Sequence, residues 1–357
     1  MNREYQMIRT IVVDDSALIR QMLTEMLNDA PDIEVVDTAH DPYDAREKIK
    51  AHNPDVITLD VEMPKMDGIT FLRNIMRLRP MPVLMVSSLT QDGAEVTLEA
   101  LEIGAVDYVA KPQVNVASEF QDYAREIQDK VRMAASARVT ASSRPAGEKR
   151  SAGSVLPKRR PGDLKSTERL IALGASTGGT EALRHVLEQL PPDSPGVVIT
   201  QHIPQEFSRA FANRMDGTCA VTVTEAQHGQ RIIPGHVYVA PGNRHLTVKR
   251  DGARYTCQLH DGDPVNRHRP SVDVLFRSVA NEAGKNAVAA LLTGMGDDGA
   301  RGMKELHELG AYTVAQNEET SVVWGMPGTA VEMEAVSDTL ALDRIAEALL
   351  GRARQST

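Results

Sequence analysis

Short, continuous runs of apolar residues alternate five times with helical patterns between residues 7 and 133. The runs are TIVVDD, IEVVDTA, DVITLDV, PVLMVSS and AVDYVAK, and the first precedes a helix pattern with Leu18, Met22 and Met26 on one face. Strands that are apolar throughout are buried on both faces, and the intervening helices cover those faces. The pattern therefore predicts a parallel five-stranded sheet with its ligand site at the carboxyl ends of the strands.

Polar residues stand at the ends of these predicted strands, at the edge where such sheets bind ligands. They are Asp14, Asp15, Asp60, Ser87 and Lys111. Three clustered carboxylates repel one another, and a hard divalent cation such as Mg²⁺ offsets that repulsion because it prefers oxygen ligands. Each feature also has a simple structural alternative: Asp15 as a helix N-cap, MPKMDG as a turn, and Lys111 as a solvated strand end.

Taken together, VVDDS, LDVEMPKMDG, MVSS and KP resemble response-regulator receiver domains over residues 7–133. The resemblance implies a flavodoxin-like fold in which Asp60 accepts a phosphoryl group from a histidine kinase. The ligands that it implies for Mg²⁺ are Asp14, Asp15, Asp60 and the backbone carbonyl of Glu62. The residues that it implies for phosphate sensing are Ser87 and Lys111. A phosphoryl group adds charge and strong acceptors, so a hydroxyl that moves to bind it can repack a neighbouring face.

A second α/β pattern follows residue 168 and contains the stretch LIALGASTGGTEAL. Ser176 lies between an apolar strand and a helix pattern, and residues 174–178 match the GxSxG signature of hydrolases. The glycines do not follow GxGxxG, and the next strand, GVVIT, ends without the acidic residue that binds a ribose hydroxyl. A serine in this position is also a favoured helix N-cap, so the motif alone leaves both interpretations open.

A serine nucleophile needs a base, and the base needs an orienting acid. His202 directly follows VVITQ, so we expect it on the same edge as Ser176, with His268 in VNRHRP as its main rival. The acid is expected in LLTGMGDDGARGM, where Asp297 or Asp298 could instead cap the following helix. Glycines in that loop let backbone N–H groups approach a developing oxyanion. The order Ser, His, Asp differs from that of α/β-hydrolases, so that fold is not predicted.

Residues 134–168 separate the two patterns and have the composition of a flexible tether. This segment holds eight Lys or Arg against three Asp or Glu, has no aromatic residue, and is rich in Ser, Ala, Gly and Pro. The parts on either side, residues 7–133 and 169–353, are each long enough to fold alone. For the second part we expect a doubly wound, mostly parallel α/β domain with a β-hairpin insertion.

Composition excludes several other classes of protein. The net charge of −9 argues against a nucleic-acid partner, because domains that bind phosphate backbones are ordinarily basic. No apolar run is long enough for a membrane span or a secretory signal, and the two cysteines lack the spacing of a thiolate metal site. We therefore expect a cytoplasmic protein without membrane insertion, and a monomer.

The motifs GASTGGTEAL, TQHIP, LLTGMGDDGARGM and WGMPG, behind a receiver and a tether, resemble the CheB family of chemotaxis protein-glutamate methylesterases over residues 168–350. The resemblance implies that Ser176 is the nucleophile, His202 the general base and acid, and Asp298 the orienting carboxylate. It favours Asp298 over Asp297 because the family's aspartate directly precedes the glycine. It also implies an oxyanion donor in the backbone N–H of Met295, and no cofactor for the esterase.

The partners that this resemblance implies are chemoreceptors, as substrates, and the histidine kinase CheA, as phosphodonor. The expected reactions are hydrolysis of glutamate methyl esters and deamidation of receptor glutamines. The resemblance also supports the hypothesis that the unphosphorylated receiver covers the entrance to the serine site. Two alternatives are a phosphorylation-controlled binding module without catalysis and a nicotinamide-dependent oxidoreductase, the latter disfavoured by the missing acidic strand end.

Overall fold

The computed structural model describes residues 7–63, 66–88, 91–111, 117–137 and 169–354. Within these ranges the chain forms two parallel α/β sheets and one small antiparallel sheet. Residues 138–168 of the predicted tether, Pro64 and Lys65 of MPKMDG, and Pro112 of the KP motif lie outside the described residues. No helix in the described part of the chain has the length and the apolar character that a membrane crossing requires.

The first domain is a five-stranded parallel sheet, as predicted, and its strand order is β2-β1-β3-β4-β5. Its strands are β1 (Ile8–Val13), β2 (Ile33–Ala39), β3 (Val56–Asp60), β4 (Val83–Ser87) and β5 (Asp107–Ala110). Its helices are α1 (Ala17–Asn28), α2 (Pro42–His52), α3 (Gly68–Leu78), α4 (Gln91–Ile103) and α5 (Ala117–Ser136). Helices α1 and α5 cover one face of the sheet, and α2, α3 and α4 cover the other.

Asp15, at the carboxyl end of β1, does not cap helix α1. Ser16, rather than Asp15, is the N-cap of α1, and its side chain accepts a hydrogen bond from the Ile19 backbone N–H at 3.4 Å. Asp15 therefore remains available at the carboxyl end of β1.

Helix α5 continues to Ser136, past the boundary expected at residue 133, because Ile127, Val131 and Ala134 remain buried along one face.

The second domain is a seven-stranded sheet with the order β15-β14-β13-β6-β7-β10-β8, and every pairing in it is parallel. Its strands are β6 (Leu170–Ala175), β7 (Gly196–Gln201), β8 (Thr222–Glu225), β10 (His236–Val239), β13 (Ala287–Leu291), β14 (Tyr312–Gln316) and β15 (Asp338–Leu340). Its helices are α6 (Gly179–Leu187), α7 (Gln205–Thr218), α8 (Val272–Glu282), α9 (Ala300–Glu308), α10 (Met326–Glu332) and α11 (Leu342–Arg354).

The predicted hairpin insertion is part of a separate three-stranded antiparallel sheet. Strands β11 (His245–Asp251) and β12 (Arg254–His260) form the hairpin, and the two-residue strand β9 (Arg231–Ile232) pairs with β12. The hairpin packs on α8, so it supports the helix whose first turn faces the serine site.

The turn between β6 and α6 requires a glycine at position 178, and Ser176 lies before the N-cap of α6. Gly178 has a φ of 71° and is the N-cap of α6, which begins at Gly179. A Cβ at position 178 would lie 2.7 Å from the Val322 side chain, so both the backbone angle and the space favour glycine. Ser176 therefore stands on the turn between strand and helix, and the N-cap interpretation of this serine is wrong.

The first domain packs on the second through α4, α5 and the start of β5. The ring of Tyr108 in β5 stacks on Phe207 in α7, with centroids 4.7 Å apart and planes inclined by 10°. Beside this pair, Arg214 in α7 donates from Nε to Glu102 in α4 at 2.7 Å. The interface thus combines one buried aromatic pair with one half-buried ion pair.

A third interdomain contact reaches the residue that follows Ser176. The Thr177 hydroxyl donates a hydrogen bond of 2.8 Å to a carboxylate oxygen of Asp107, the first residue of β5. Both residues are buried, and Lys130 of α5 lies 3.5 Å from the same carboxylate oxygen. The first domain is therefore hydrogen-bonded directly to the turn that carries Ser176.

Candidate active site and phosphorylation pocket

Ser176, His202 and Asp298 form one continuous hydrogen-bonded line at the carboxyl edge of the seven-stranded sheet. His202 Nδ1 lies 3.1 Å from Ser176 Oγ, and His202 Nε2 lies 2.7 Å from Asp298 Oδ2. Ser176 follows β6, His202 follows β7, and Asp298 follows β13 through the glycine-rich loop. These strands are neighbours in the order β13-β6-β7, which explains why residues distant in sequence meet.

The hydrogen-bond partners fix the tautomer of His202. A carboxylate oxygen can only accept, so the proton of the neutral imidazole lies on Nε2, facing Asp298. Nδ1 then carries the lone pair and accepts the hydroxyl of Ser176. In this arrangement the imidazole is ready to take the serine proton.

Asp298 is nearly fully buried and accepts five hydrogen bonds. The donors are His202 Nε2, Asn266 Nδ2, Ser271 Oγ and the backbone N–H groups of Val272 and Asp273. Burial alone would raise the pKa of the carboxyl, but these donors and the nearby imidazole hold the pKa well below its usual range. Asp298 is thus an anion whose orientation is set from several sides.

His268, the rival histidine, stacks on the triad instead of replacing a member of it. Its ring lies parallel to that of His202, with centroids 3.7 Å apart and an angle of 11° between the planes. Burial, together with positive charge on His202, lowers the pKa of His268 to about 4. His268 is therefore neutral near pH 7.

Asp297, the other aspartate in the glycine-rich loop, makes no described contact with Ser176 or His202. The Asp297 side chain is more than half exposed, and its charged neighbour is Arg301 at 3.8 Å. Helix α9 has Gly299 as its N-cap, so neither Asp297 nor Asp298 caps it. The geometry separates the two aspartates, which spacing in the sequence could not do.

The backbone beside the serine belongs to the loop that contains Met295. Gly294 lies against the nucleophile so closely that a Cβ at this position would be 2.8 Å from the Ser176 Cβ. The Gly294 N–H is bonded to the Val323 carbonyl, whereas the N–H of Met295 has no acceptor in the part of the chain that the structure describes. This loop therefore contacts Ser176 through Gly294 and carries, at the next residue, a backbone N–H without a described acceptor.

Several residues around the triad were missed by the sequence analysis. Asn266 and Ser271 bind Asp298, and His245 accepts the Ser271 backbone N–H on Nδ1 at 3.2 Å. Thr177 links the serine turn to the receiver. Asn266 lies within VNRHRP, the stretch that contains His268, and Ser271 directly follows it, but no pattern in the sequence singles out either residue.

The predicted acidic pocket forms at the carboxyl edge of the receiver sheet. Asp14, Asp15 and Asp60 each offer a carboxylate oxygen, and these oxygens lie within 4.8 Å of one another. Lys111 Nζ is 2.8 Å from Asp60 Oδ1 and 3.9 Å from Asp14 Oδ2. Burial and the charge of Asp14 raise the pKa of Asp60 to about 6, even though Lys111 acts in the opposite direction.

The donor set of this pocket fits a divalent cation. Asp14 Oδ2 and Asp60 Oδ2 are buried without a hydrogen-bond partner, which is costly for a carboxylate unless a cation binds there. Carboxylate oxygens are the ligands that Mg²⁺ prefers. Glu62 lies next to the pocket, where its backbone N–H donates to Asp60 Oδ1 at 3.2 Å.

Ser87 is connected to the helix that touches the second domain. Its hydroxyl is 2.8 Å from the hydroxyl of Thr97 in α4, and both side chains are buried. Helix α4 packs on α7, so a movement of Ser87 towards a phosphoryl group at Asp60 would break a contact with an interface helix. The pocket and the interface therefore share α4.

Together, these two sites define a class of protein: a serine hydrolase domain joined to a receiver domain. Comparison with known proteins agrees with this description. Residues 171–349 match the family model of the CheB methylesterase, and residues 10–118 match that of the response regulator receiver domain.

Curated relatives align with almost the whole chain. A protein-glutamate methylesterase/protein-glutamine glutaminase 1 from Xanthomonas euvesicatoria pv. vesicatoria is 57% identical and covers 98% of each chain. A protein of the same name from Geobacter metallireducens is 56% identical, with coverage of 97% of this chain and 96% of that protein. The crystal structure of the Thermotoga maritima CheB methylesterase catalytic domain aligns with a TM-score of 0.51 and 34% identity, covering 52% of this chain and 98% of that chain. The chain belongs to the CheB methylesterase family.

Proposed function

We propose that this protein removes methyl groups from glutamate methyl esters of chemoreceptors and converts receptor glutamines to glutamates. The observation that carries the proposal is the line of hydrogen bonds from Ser176 through His202 to Asp298. Support for the substrate comes from family membership and from relatives of 53–57% identity that carry both activities in their names. These activities make the protein a hydrolase of sensory adaptation.

The geometry supports an acyl-enzyme mechanism. His202 Nδ1 takes the Ser176 proton as Oγ attacks the ester carbonyl, and the Met295 N–H stabilises the oxyanion. The tetrahedral intermediate collapses when His202 returns the proton to the methoxy group, which leaves as methanol. Water then attacks the acyl-enzyme with the same base, which restores Ser176 and releases the glutamate. Asp298 stabilises the imidazolium at each stage.

Deamidation uses the same steps with a different leaving group. A glutamine side chain places an amide at the serine, and the proton from His202 goes to nitrogen, so ammonia leaves in place of methanol. Both reactions end in the same acyl-enzyme and the same glutamate product. Each creates a negative charge on a receptor helix, which changes its electrostatic interactions with neighbouring helices.

The direct test uses a fully methylated receptor fragment and its glutamine form. The full-length protein should release methanol from the first and ammonia from the second, with mass spectrometry locating the new glutamates. If neither product forms at enzyme concentrations comparable with those of the substrate, the chemoreceptor substrate is wrong.

The proposal includes control by the receiver, with CheA as phosphodonor and a cytoplasmic location, where receptor methylation helices lie. The contact of Asp107 with Thr177, next to the nucleophile, supports a receiver that covers the serine site before phosphorylation. Phosphorylation of Asp60 would loosen this contact through Ser87, Lys111 and α4. We take the protein to be a monomer.

Charge reversal at the interface should raise basal activity. In Glu102→Arg two cations face each other, because Arg214 loses its partner, so we expect the unphosphorylated protein to be roughly three- to tenfold more active. The initial rate of methanol release measures the change. Glu47→Arg, on the exposed face of α2 and outside the interface, is the matched control and should have no effect.

Exchanging the two charges of the Glu102–Arg214 pair shows whether the ion pair itself, rather than the charge of the surface, controls the basal rate. The double variant Glu102→Arg/Arg214→Glu should return towards the low basal rate. A Glu102→Arg protein that is no faster than the wild type, or a deletion of residues 1–133 that leaves activity unchanged or lower, would contradict receiver inhibition.

We propose that Asp14, Asp15, Asp60 and the backbone carbonyl of Glu62 hold Mg²⁺. When bound, the ion neutralises charge on the transferred phosphoryl group and on the carboxylates around it. Asp60 provides the attacking oxygen, and Lys111 and Ser87 bind the phosphoryl oxygens.

Removal of Mg²⁺ should separate activation from catalysis. With a small acyl phosphate as phosphodonor, a chelator should abolish the stimulation of methanol release while the basal rate stays within about twofold, because the triad contains no metal ligand in this mechanism. Asp60→Asn should behave in the same way in the presence of Mg²⁺. Stimulation that persists in excess chelator would count against this ligand set.

A further inference from the structure

A tight turn in the second domain touches two members of the triad at once. Val265 and His268 are paired through both of their backbone hydrogen bonds, at 3.0 and 2.9 Å. The two residues between them, Asn266 and Arg267, have φ angles of 52° and 68°. Two consecutive positive φ angles in a two-residue connection indicate a type I′ turn, which favours asparagine. The turn brings the ring of His268 onto His202 and the amide of Asn266 onto Asp298.

The amide of Asn266 joins two buried carboxylates. Its Nδ2 donates to Asp298 Oδ1 and to Asp273 Oδ2, and both distances are 2.7 Å. Only the NH₂ end of the side chain can bind carboxylates, so chemistry fixes the orientation of the amide. Asp273 is anchored in turn by the Gly302 backbone N–H at 2.8 Å. Asp298 is thereby tied through one amide to a fixed point on α8.

We infer that Asn266 is a positioning residue of the esterase: its amide, bridging Asp298 and Asp273, holds Asp298 in line with His202. The inference deepens the proposed function and rests on it for the identity of the reaction. The bridge separates two buried carboxylates that would otherwise face each other across a short gap. Without it, Asp298 keeps its bonds to Ser271 and to the backbone of α8 but loses the side-chain link from Oδ1 to Asp273.

Two substitutions at position 266 distinguish the role of the side-chain amide from that of the backbone of the turn. Asn266→Gly adopts the left-handed conformation without strain and removes only the side chain, so the turn is preserved. We expect kcat to fall roughly 10- to 100-fold, with KM within about threefold, because a lost hydrogen bond to a charged group acts on the step in which His202 becomes charged. The unfolding temperature of this variant reports whether the turn has been kept.

Asn266→Asp gives a readout that a purely structural role would not move. The introduced carboxyl would face Asp298 and Asp273 as a third acid, and the basic groups around the neighbouring His268 are His202, Arg267 and Lys130. Neighbouring carboxylates raise the pKa of such a group. Above that pKa it repels Asp298, whereas below it the O–H can donate to Asp298 as the amide does. The rate relative to wild type at the same pH should therefore rise roughly tenfold or more from pH 8 to pH 6, whereas the Asn266→Gly ratio should stay flat.

The experiment follows two reactions of the full-length protein. One is methanol release from methylated receptor, and the other is the rate at which a fluorophosphonate labels Ser176, which requires no receptor. Asn53→Asp is the matched control, since Asn53 is also left-handed but lies in the receiver, and it should follow the wild type at every pH.

The outcomes distinguish this inference from the proposed function. Ser176 labelling that depends on residue 266 as described, without methanol release by the wild type, supports the positioning role and rejects the substrate. Methanol release by the wild type, with Asn266→Gly within twofold of it or with a flat Asn266→Asp ratio between pH 6 and pH 8, overturns the positioning role.

Discussion

Replacing Ser176 by alanine is expected to reduce methanol release by about 10⁴-fold or more. Without Oγ no acyl-enzyme forms, and only substrate binding and the oxyanion donor remain to act on direct attack by water. The same variant should lose ammonia release to a similar extent, because both reactions use one acyl-enzyme. Wild type and variant are compared in a single-turnover assay with enzyme in excess, which detects slow residual hydrolysis.

The fold of the Ser176→Ala variant should be unchanged. The hydroxyl makes one described hydrogen bond, to His202, so the unfolding temperature should move by no more than a few degrees. Mass spectrometry after a rapid quench should find the acyl-enzyme on Ser176 in the wild type and none in the variant. Equal methanol release by the two proteins would refute the serine mechanism.

Asp298→Asn should lower kcat by about 10⁴-fold, because it reverses the direction of the hydrogen bonds from Ser176 through His202 to residue 298. An amide NH₂ at this position would donate to His202 Nε2 and move the imidazole proton to Nδ1, where it faces Ser176. The base would then have no lone pair for the serine hydroxyl. Methanol release and fluorophosphonate labelling should both fall, whereas KM should change little.

The adjacent residue supplies the control for this change. Asp297→Asn makes the same substitution on a largely exposed side chain whose charged neighbour is Arg301 at 3.8 Å, so activity should stay within about twofold. If Asp297→Asn were the slower of the two variants, the assignment of the orienting carboxylate to Asp298 would be wrong.

The architecture was predictable because the carboxyl ends of the strands of a parallel sheet all lie at the same edge. Apolar runs gave both parallel sheets, and residues that follow neighbouring strands must meet at one edge, which brought Ser176 near His202. The choice between Asp297 and Asp298 came from family resemblance, since adjacent residues in a glycine-rich loop satisfy the spacing equally well. Their side chains point to different environments only because of how the loop folds back on α8.

Contacts made by turns and between domains left little trace in the sequence. Asn266 lies in a turn between short irregular segments, so no periodicity indicated that its amide would reach Asp298. The bond between Asp107 and Thr177 depends on how two domains dock, and neither residue differs in type from an ordinary strand or turn residue. Pattern analysis describes one element at a time, whereas these contacts need the positions of two.

The strand β5 places the phosphate chemistry and the contact with Thr177 at opposite ends. Lys111 follows the last residue of β5, and Asp107 is its first, so about 13 Å of extended chain lies between them. No phosphoryl oxygen at Asp60 can therefore touch the serine turn. In the proposed control, phosphorylation would therefore reach this contact indirectly, through a displacement of β5 and of helices such as α4, a collective motion of microseconds to milliseconds. Stiffening substitutions in the body of β5 should consequently alter the speed of the response while leaving both end points intact.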